Sequence, residues 1–448
     1  MTRRLLALTR PFLLLSACVL LTCGAVAAHD DHDHGPRIEP AEQHGPSPLP
    51  DRIVLTWTGD PARSQDITWR TDSEVDAACA EFAVAEPGPQ FATRAKRVDA
   101  KSESFTSDLG DCRMHSVHLA DLSPKTKYAY RVGDGIHWSE WFHFTTAAAE
   151  PEPFTFVYFG DAQNEVRSLW SRVIREAHLD APRAAFMLHA GDLVNRANRD
   201  AEWGEWFGAG GWLNAMTPSI ATPGNHEYAR DEDDRRRLTD HWRPQFAFPQ
   251  NGPDGLKESV YWIDYQGVRI ISLNSNEQQE EQVPWVEEVL ADNPSRWTIV
   301  TFHHPLYSAA KDRDNARLRN LWKPIFDKHR VDLVLQGHDH AYARSSLDVP
   351  DVPTENVAAG VNAKTGPTVY VVSVSGPKMY DVKEGRPFIS RSASGAQLYQ
   401  LIHIDGDELL YEARVATGEL YDSFLLKKRE GEVNELVEKV PDTPELRK

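Results

Sequence analysis

The stretch Val331-Asp332-Leu333-Val334-Leu335-Gln336-Gly337-His338-Asp339-His340 joins a short, mostly apolar run to a loop of metal-binding side chains. A run of this length and content is typical of a strand buried in a sheet that is covered on both faces. Ligands of such folds gather just outside the carboxyl ends of the strands. The stretch therefore predicts a metal site at one edge of a buried sheet.

Four other apolar runs end in the same way, on residues that can bind a hard or borderline metal ion. They lead into Gly160-Asp161, Gly191-Asp192, Gly224-Asn225-His226 and His303. Because the carboxyl ends of parallel strands meet at one edge, residues far apart in sequence can converge there. Together the five runs predict a two-metal centre built from Asp161, Asp192, Asn225, His303, His338 and His340.

Such a centre suits the hydrolysis of phosphoesters. Two ions about 3.5–4 Å apart can activate water, neutralise the phosphoryl oxygens and stabilise the leaving oxygen. Asp192 follows a glycine that permits a tight turn, and its carboxylate could bridge both ions. Asn225 can bind through its amide oxygen, which places His226 beside the ions without binding either. His226 is thus a candidate general acid for the departing alcohol.

Length and charge narrow the range of functions. A chain of 448 residues suggests more than one domain. The formal net charge of −18 argues against nucleic acid as a main partner, because phosphate binding needs a basic surface. A small phosphoester remains compatible with this charge, since a metal pair supplies its own positive charge.

The N-terminus has the pattern of an export signal. A basic start, an apolar stretch and small residues before position 29 predict a signal peptide over 1–28 and a periplasmic or extracellular protein. A lipoprotein processing site at Cys18 is the alternative, disfavoured because apolar residues follow it. Residues 29–50 read as a His-rich linker. Beyond them, Cys79 and Cys112 could form a disulfide or remain as two buried free thiols.

The following residues divide into two domains and a tail. Short alternating strands over 51–147 predict an all-β sandwich, and its loop and strand entry at Leu122–Tyr130 resemble fibronectin type III domains. Strands alternate with helical stretches over 152–426, which we expect to be the catalytic domain. We expect the charged residues 427–448 to be a surface or disordered tail.

The chain resembles the purple acid phosphatase family of metallophosphoesterases. Its blocks Gly160-Asp161, Gly191-Asp192, Gly224-Asn225-His226-Glu227, Val300-Thr301-Phe302-His303 and Gly337-His338-Asp339-His340 match that family's motifs in order. The resemblance implies an α/β catalytic domain, a β-sandwich flanked by helices, behind an N-terminal domain like that of plant and bacterial members. It implies that Asp161 and His340 bind the first metal ion. It assigns the second ion to Asn225, His303 and His338, a bridging role to Asp192 and proton donation to His226.

Two positions depart from the family pattern. The family's second block continues to a tyrosine that binds ferric iron and gives the purple colour, whereas this chain has Asn195 there. The first block has Gln163 where purple phosphatases have glycine. Both side chains could bind metal or merely line the site. His304 adjoins a ligand and could bind metal, assist protonation or support the site structurally. Loss of the phenolate predicts a colourless protein with two divalent ions such as Fe, Mn or Zn.

The interpretation that follows is an exported binuclear phosphomonoesterase in which a metal-bound hydroxide attacks phosphorus. Arg344 is a tentative substrate-binding residue, with bracing of the histidine loop as the alternative. A phosphodiesterase or nucleotide hydrolase on the same scaffold is the nearest rival. A non-catalytic metal-binding surface protein is a more distant one. The sequence does not indicate an oligomeric state.

Overall fold

The computed structural model describes residues 38–347, 367–386 and 388–447. The predicted signal peptide and the first part of the predicted linker lie outside the described residues. From Pro40 onward the described chain forms one unit. Within the described ranges, no helix has both the length and the apolar character needed to cross a membrane.

The N-terminal part is an all-β sandwich. Its strands are β1 Asp51–Thr56, β2 Gln65–Asp72, β3 Cys79–Val84, β4 Lys96–Asp99, β5 Lys101–Ser107, β6 Gly110–Leu119, β7 Lys127–Gly133 and β8 Phe142–Thr145. They form two antiparallel sheets with the orders β1-β2-β6-β5 and β4-β3-β7-β8. Trp69, Tyr130 and Phe144 are buried between them, as the alternating sequence pattern predicts. The predicted sandwich is confirmed, and its fibronectin type III likeness stays a prediction.

The catalytic part contains sixteen described strands. They are β9 Phe154–Phe159, β10 Met187–His189, β11 Ser219–Ala221, β12 Tyr228–Arg230, β13 Arg236–Leu238, β14 Tyr261–Tyr265, β15 Val268–Ser272, β16 Trp297–Thr301, β17 Leu333–Gln336, β18 Tyr342–Ser345, β19 Val369–Val372, β20 Ile389–Ala393, β21 Leu398–Asp405, β22 Glu408–Val415, β23 Leu420–Lys427 and β24 Glu435–Glu438. The short strands β12 and β13 form a separate hairpin.

The remaining strands form two seven-stranded sheets that share one apolar core. Their orders are β11-β10-β9-β21-β22-β23-β24 and β14-β15-β16-β17-β19-β18-β20. Phe156 of the first sheet and Ile299 and Leu335 of the second belong to the same buried cluster. The strands that lead into the predicted ligands are parallel within each sheet. They are therefore distributed over two facing sheets, as in the predicted β-sandwich, whereas the apolar runs taken alone suggested one sheet edge.

Helices accompany both sheets. They are α1 Pro40–His44, α2 Ser171–Asp180, α3 Asp200–Gly210, α4 Trp242–Gln245, α5 Gln282–Ala291 and α6 Ala316–His329. Short helical turns occur at Pro89–Arg94, Val166–Trp170, Gly211–Leu213 and Asn225–Glu227. Val173 and Ile174 of α2 pack into the shared core. Phe326 of α6 packs with Val286 of α5 in a second cluster behind the β14 sheet. The predicted arrangement of a β-sandwich flanked by helices is confirmed.

A buried charge cluster fastens the sandwich to the catalytic part. Arg52 on β1 donates to Asp200 at 2.6 and 2.8 Å, and Arg70 on β2 donates to the same carboxylate at 2.8 Å. The side chains of these three residues are at most 3% exposed. Because burial makes an unpaired charge costly, each partner needs the others. The two parts are therefore held in a fixed relation at α3.

The structure bears on two further expectations. The segment predicted as a surface or disordered tail contains β24, which extends the first sheet by pairing with β23. An edge strand often carries charged residues, so its sequence lacks the apolar run that marks a buried strand. Of the two alternatives for Cys79 and Cys112, the structure has the second, since both are buried free thiols on strands of different sheets.

Candidate metal centre

The predicted ligands meet where strands of the two sheets end. Asp161, Asp192 and Asn225 follow β9, β10 and β11, while His303 and the loop holding His338 follow β16 and β17. A Cβ atom on Gly224 would lie 2.2 Å from Asp192 Oδ1, and one on Gly337 would lie 2.3 Å from Asp161 Oδ1. Gly224 and Gly337, which precede Asn225 and His338, are thus required because the loops approach each other too closely for a side chain.

The backbone at the centre is strained. Asp192 and His338 have φ angles of 53° and 70°, a left-handed conformation that few residues other than glycine adopt. Hydrogen bonds hold both loops in place: His226 N–H donates to Asp192 Oδ1 at 2.8 Å, and His338 N–H donates to Asp161 Oδ1 at 2.6 Å. Strain of this kind is common where a binding geometry is fixed in advance.

The side-chain atoms converge on a space suited to cations. The Nε2 atom of His303 lies 3.2 Å from Asp192 Oδ2, 3.1 Å from Asn225 Oδ1 and 3.1 Å from His338 Nδ1. Asp161 Oδ2 lies 3.5 Å from His340 Nε2. Asp192, His303 and His338 each offer one ligand atom, and these three atoms lie within 4.8 Å of one another. All six predicted ligands therefore lie in one neighbourhood.

Burial gives this neighbourhood an electrostatic demand for cations. Asp161 and Asp192 are at most 1% exposed. Burial raises the pKa of Asp161 well above its usual range, and the Asp192 carboxylate adds to the effect. Burial opposes charge on His303, but the carboxylates of Asp192 and Asp161 outweigh it and raise the pKa of His303 to about 9. A metal ion would supply the positive charge that protons supply otherwise.

Unsatisfied atoms and donor chemistry fit a metal pair. Asp161 Oδ2 and Gln163 Oε1 are buried without a hydrogen-bond partner. Burial lowers the pKa of His340 to about 3, so this imidazole is neutral and able to bind metal. A mixed set of carboxylate, amide and imidazole ligands suits Fe, Mn or Zn.

Backbone carbonyls orient two of the imidazoles. His303 Nδ1 donates to the Ala190 carbonyl at 2.9 Å, which leaves Nε2 for the ligand cluster. His226 Nδ1 donates to the Asn195 carbonyl at 2.6 Å. The other nitrogen of His226 then lies 4.0 Å from Asp192 Oδ2. His226 is thus placed beside the ligand cluster.

Glu227 is a site residue to which the sequence assigned no role. Its buried carboxylate accepts hydrogen bonds from the backbone N–H groups of Asp192 at 2.8 Å, Leu193 at 2.8 Å and Gly224 at 2.7 Å. One side chain therefore ties the Asp192 loop to the Asn225 loop. Its position within Gly224-Asn225-His226-Glu227 was the available signal, but its partners are backbone groups that only the fold brings together.

The three uncertain neighbours occupy different places. Gln163 Nε2 donates to Asp192 Oδ2 at 2.6 Å, so Gln163 contacts the proposed bridging carboxylate. Asn195 reaches His226 through its backbone carbonyl, and it is one of the residues that line an adjacent pocket. His304 Nδ1 lies 2.8 Å from Ser275 Oγ, and its ring packs 4.2 Å from that of His338. Their participation in metal binding stays a prediction.

Arg344 has a bracing position instead of the predicted substrate-binding one. Its buried guanidinium donates to Asp422 at 2.7 and 3.0 Å and to Glu438 at 3.0 and 2.8 Å. Four bonds to two carboxylates leave this cation engaged inside the protein. The structure therefore supports the alternative that Arg344 braces the strand after the histidine loop.

Comparison with known proteins agrees with this geometry. The family model for the N-terminal domain of purple acid phosphatase matches residues 50–146. The model for calcineurin-like phosphoesterase matches residues 136–342, which include the six predicted ligands. The two family models together match residues 50–342, so the chain is similar to purple acid phosphatases over both of its parts.

Individual relatives cover most or about half of the chain. A purple acid phosphatase of Glycine max is 24% identical over 393 residues, which cover 81% of this chain and 82% of the relative. A Fe(3+)-Zn(2+) purple acid phosphatase of Arabidopsis thaliana is 27% identical over 249 residues, covering 52% of each chain. The structure of purple acid phosphatase PPD1 from Lupinus luteus has a TM-score of 0.70 at 19% identity, covering 85% of this chain and 74% of its own.

These findings confirm that the chain is a metal-dependent phosphoester hydrolase of the phosphatase type. They also confirm the predicted two-metal class of site. The likeness to the lupin structure concerns the fold alone. The ligand roles of individual residues and the domain boundaries stay predictions.

Proposed function

We propose that this chain is an exported phosphomonoesterase that holds two metal ions between Asp161, Asp192, Asn225, His303, His338 and His340. The observation that carries the proposal is the convergence of six ligand side chains beside an oriented histidine. The bound ions would supply an activated water molecule and neutralise charge on the phosphoryl oxygens.

The protein side chains have separable roles in this reaction. Asp192 lies 3.2 Å from His303, and its charge also acts on Asp161, which suits a carboxylate shared by both ions. His226, held by the Asn195 carbonyl, delivers a proton to the leaving oxygen. Its Nδ1–H is committed to that carbonyl, so the proton must come from Nε2. The partial exposure of the His226 side chain, 27%, allows the product alcohol to leave on this side.

The test of His226 uses leaving groups of different basicity. We expect His226→Ala to lower kcat for glycerol 3-phosphate by about 100-fold or more, because an alkoxide leaves poorly without a proton. The loss for p-nitrophenyl phosphate should be much smaller, because nitrophenolate leaves without protonation. Equal losses for both esters would contradict the role of His226. Turnover of bis(p-nitrophenyl) phosphate in the same assay separates the phosphomonoesterase from its phosphodiesterase rival.

Metal charge follows from the ligand set. Asn195 is neutral where the family has a tyrosine, so the first ion loses a negatively charged ligand. We expect the protein to be colourless and to bind divalent Fe, Mn or Zn. An absorption spectrum and metal analysis of the same preparation would check this. A strong visible charge-transfer band would contradict it.

The exported state is supported by the sequence of the N-terminus. A basic start and an apolar stretch precede small residues suited to cleavage. N-terminal sequencing of the protein recovered outside the cytoplasm should give a chain that begins near residue 29. An intact Met1 on the mature protein would contradict export by cleavage.

A further inference from the structure

A pocket of about 570 Å³ opens on the side of the metal centre where His226 lies. Asn225, His226 and Tyr228 line it. The loop 195–199 lines it as well, together with Asp108 of the sandwich. Because the proton donor faces the leaving oxygen, the alcohol part of a substrate would extend into this pocket. This step rests on the proposed function of His226.

Two guanidinium groups line the pocket, and a third lies next to its lining residues. Arg196 and Arg199 line it with side chains that are 63% and 58% exposed. Arg236 adds a third cation at the rim, since it donates to the Asn225 carbonyl at 2.8 Å and lies 5.7 Å from the Tyr228 ring. Three arginines thus lie close together on a protein whose net charge is −18.

Carboxylates near the pocket are engaged in positioning the arginines. Glu202 accepts from Arg196 Nε at 2.6 Å and from the backbone N–H groups at 195 and 196. Asp108 lies at the tip of the β5–β6 hairpin and accepts from Asp200 N–H at 2.8 Å and Arg199 Nη1 at 3.3 Å. A residue of the sandwich, Asp108, thus positions Arg199, which lines a pocket of the catalytic part.

We propose that this pocket selects phosphomonoesters whose alcohol part carries a second anionic group, a carboxylate or a phosphate. Arg196 and Arg199 hold that group by charge-assisted hydrogen bonds, and their forked geometry suits both anions. Asp108 acts as a positioning residue contributed by the sandwich. The proposal adds a substrate class to the phosphomonoesterase reaction.

The test compares substrates that differ by one anionic group. The first pair is glycerol 3-phosphate and 3-phosphoglycerate, and the second is fructose 6-phosphate and fructose 1,6-bisphosphate. Phosphate release by the metal-loaded full chain gives kcat/KM for each ester. We expect the more anionic member of at least one pair to be preferred by roughly tenfold, mostly through a lower KM. A preference in the first pair would indicate that the pocket binds a carboxylate, and a preference in the second pair would indicate that it binds a phosphate.

Charge-matched variants locate the preference. Arg196→Gln and Arg199→Gln should each lower the ratio of kcat/KM values severalfold. Arg237→Gln should leave the ratio unchanged, because Arg237 pairs with Asp231 and does not line the pocket. Hydrolysis of p-nitrophenyl phosphate without preference in either pair, or an equal effect of all three variants, would overturn the pocket assignment alone. Failure to hydrolyse any ester would overturn the proposed function and this inference with it.

Discussion

Glu227 joins the two loops that present Asp192 and Asn225. Its carboxylate has backbone N–H donors on both sides, and its side chain is buried. If this buried carboxylate is replaced, several backbone N–H donors lose their acceptor. Leaving buried donors unpaired costs more free energy than one hydrogen bond contributes net to stability. At the scale of single residues, the metal centre therefore depends on Glu227, a residue for which the sequence predicted no role.

The variant Glu227→Gln turns an amide NH₂ toward backbone N–H groups. We expect it to lower the free energy of unfolding by about 1–3 kcal/mol and to weaken metal binding. Chemical denaturation and metal titration measure the two effects. Glu232→Gln, on the exposed loop between β12 and β13, is the matched control. A variant with unchanged metal affinity would show that Glu227 does not position the ligands.

A second residue-scale prediction concerns acid stability. His115 is buried in the sandwich, with ring nitrogens 2.8 Å from the hydroxyls of Thr71 and Ser102. Burial, and then the charge of Arg113, lower the pKa of His115 to about 4. An unfolded chain protonates histidine near pH 6.5, so it binds the proton first as the pH falls. His115 thus makes the folded state lose stability between about pH 6.5 and 4.

As the pH falls across this range, we expect His115→Gln to lose less unfolding free energy than the unmodified chain. The difference should be at most about 3 kcal/mol. His118 supplies a control of opposite sign, because its hydrogen bond with Asp66 raises its pKa. The folded state gains from protonated His118 on acidification, so His118→Gln should lose stability more steeply. Denaturation at several pH values checks both. Parallel curves for His115→Gln and the unmodified chain would contradict the assignment.

At the scale of elements, the sequence was informative wherever an apolar run met a polar loop. The strands ending before Asp161, Asp192, Asn225 and His303 all exist, because buried strands need continuous apolar residues. Strand β24 was missed, because it lies at a sheet edge and carries Glu435 and Glu438. Partners that come from another domain, such as Asp108 for Arg199, leave no mark on the local pattern.

The segment after β23 should contribute to stability. Glu438 of β24 pairs with buried Arg344 at 2.8 Å, and Asn434 donates to buried Asp332 at 2.6 Å. Removal of residues 428–448 leaves both charges with fewer partners. We expect the unfolding free energy to fall by about 3 kcal/mol or more in urea denaturation. An unchanged midpoint would show that these contacts do not contribute to stability.

At the scale of the whole molecule, two facing sheets and a sandwich combine to form one site. Each sheet provides loops at the ends of its parallel strands, and the shared core fixes the distance between them. The sandwich reaches the same region through Asp108 and is fixed to α3 by the Arg52–Asp200 pair. The metal pair and the substrate pocket are therefore products of the assembled chain.

The number of metal ions bound per chain tests this account most directly. Mass spectrometric metal analysis, after chelation and reloading with Mn or Zn, should find two ions in the unmodified chain. It should find one or none in Asp192→Asn, and two in Asp254→Asn, whose side chain is 99% exposed. One ion or none in the unmodified chain, or two in Asp192→Asn, would contradict the central claim that these six side chains share a metal pair.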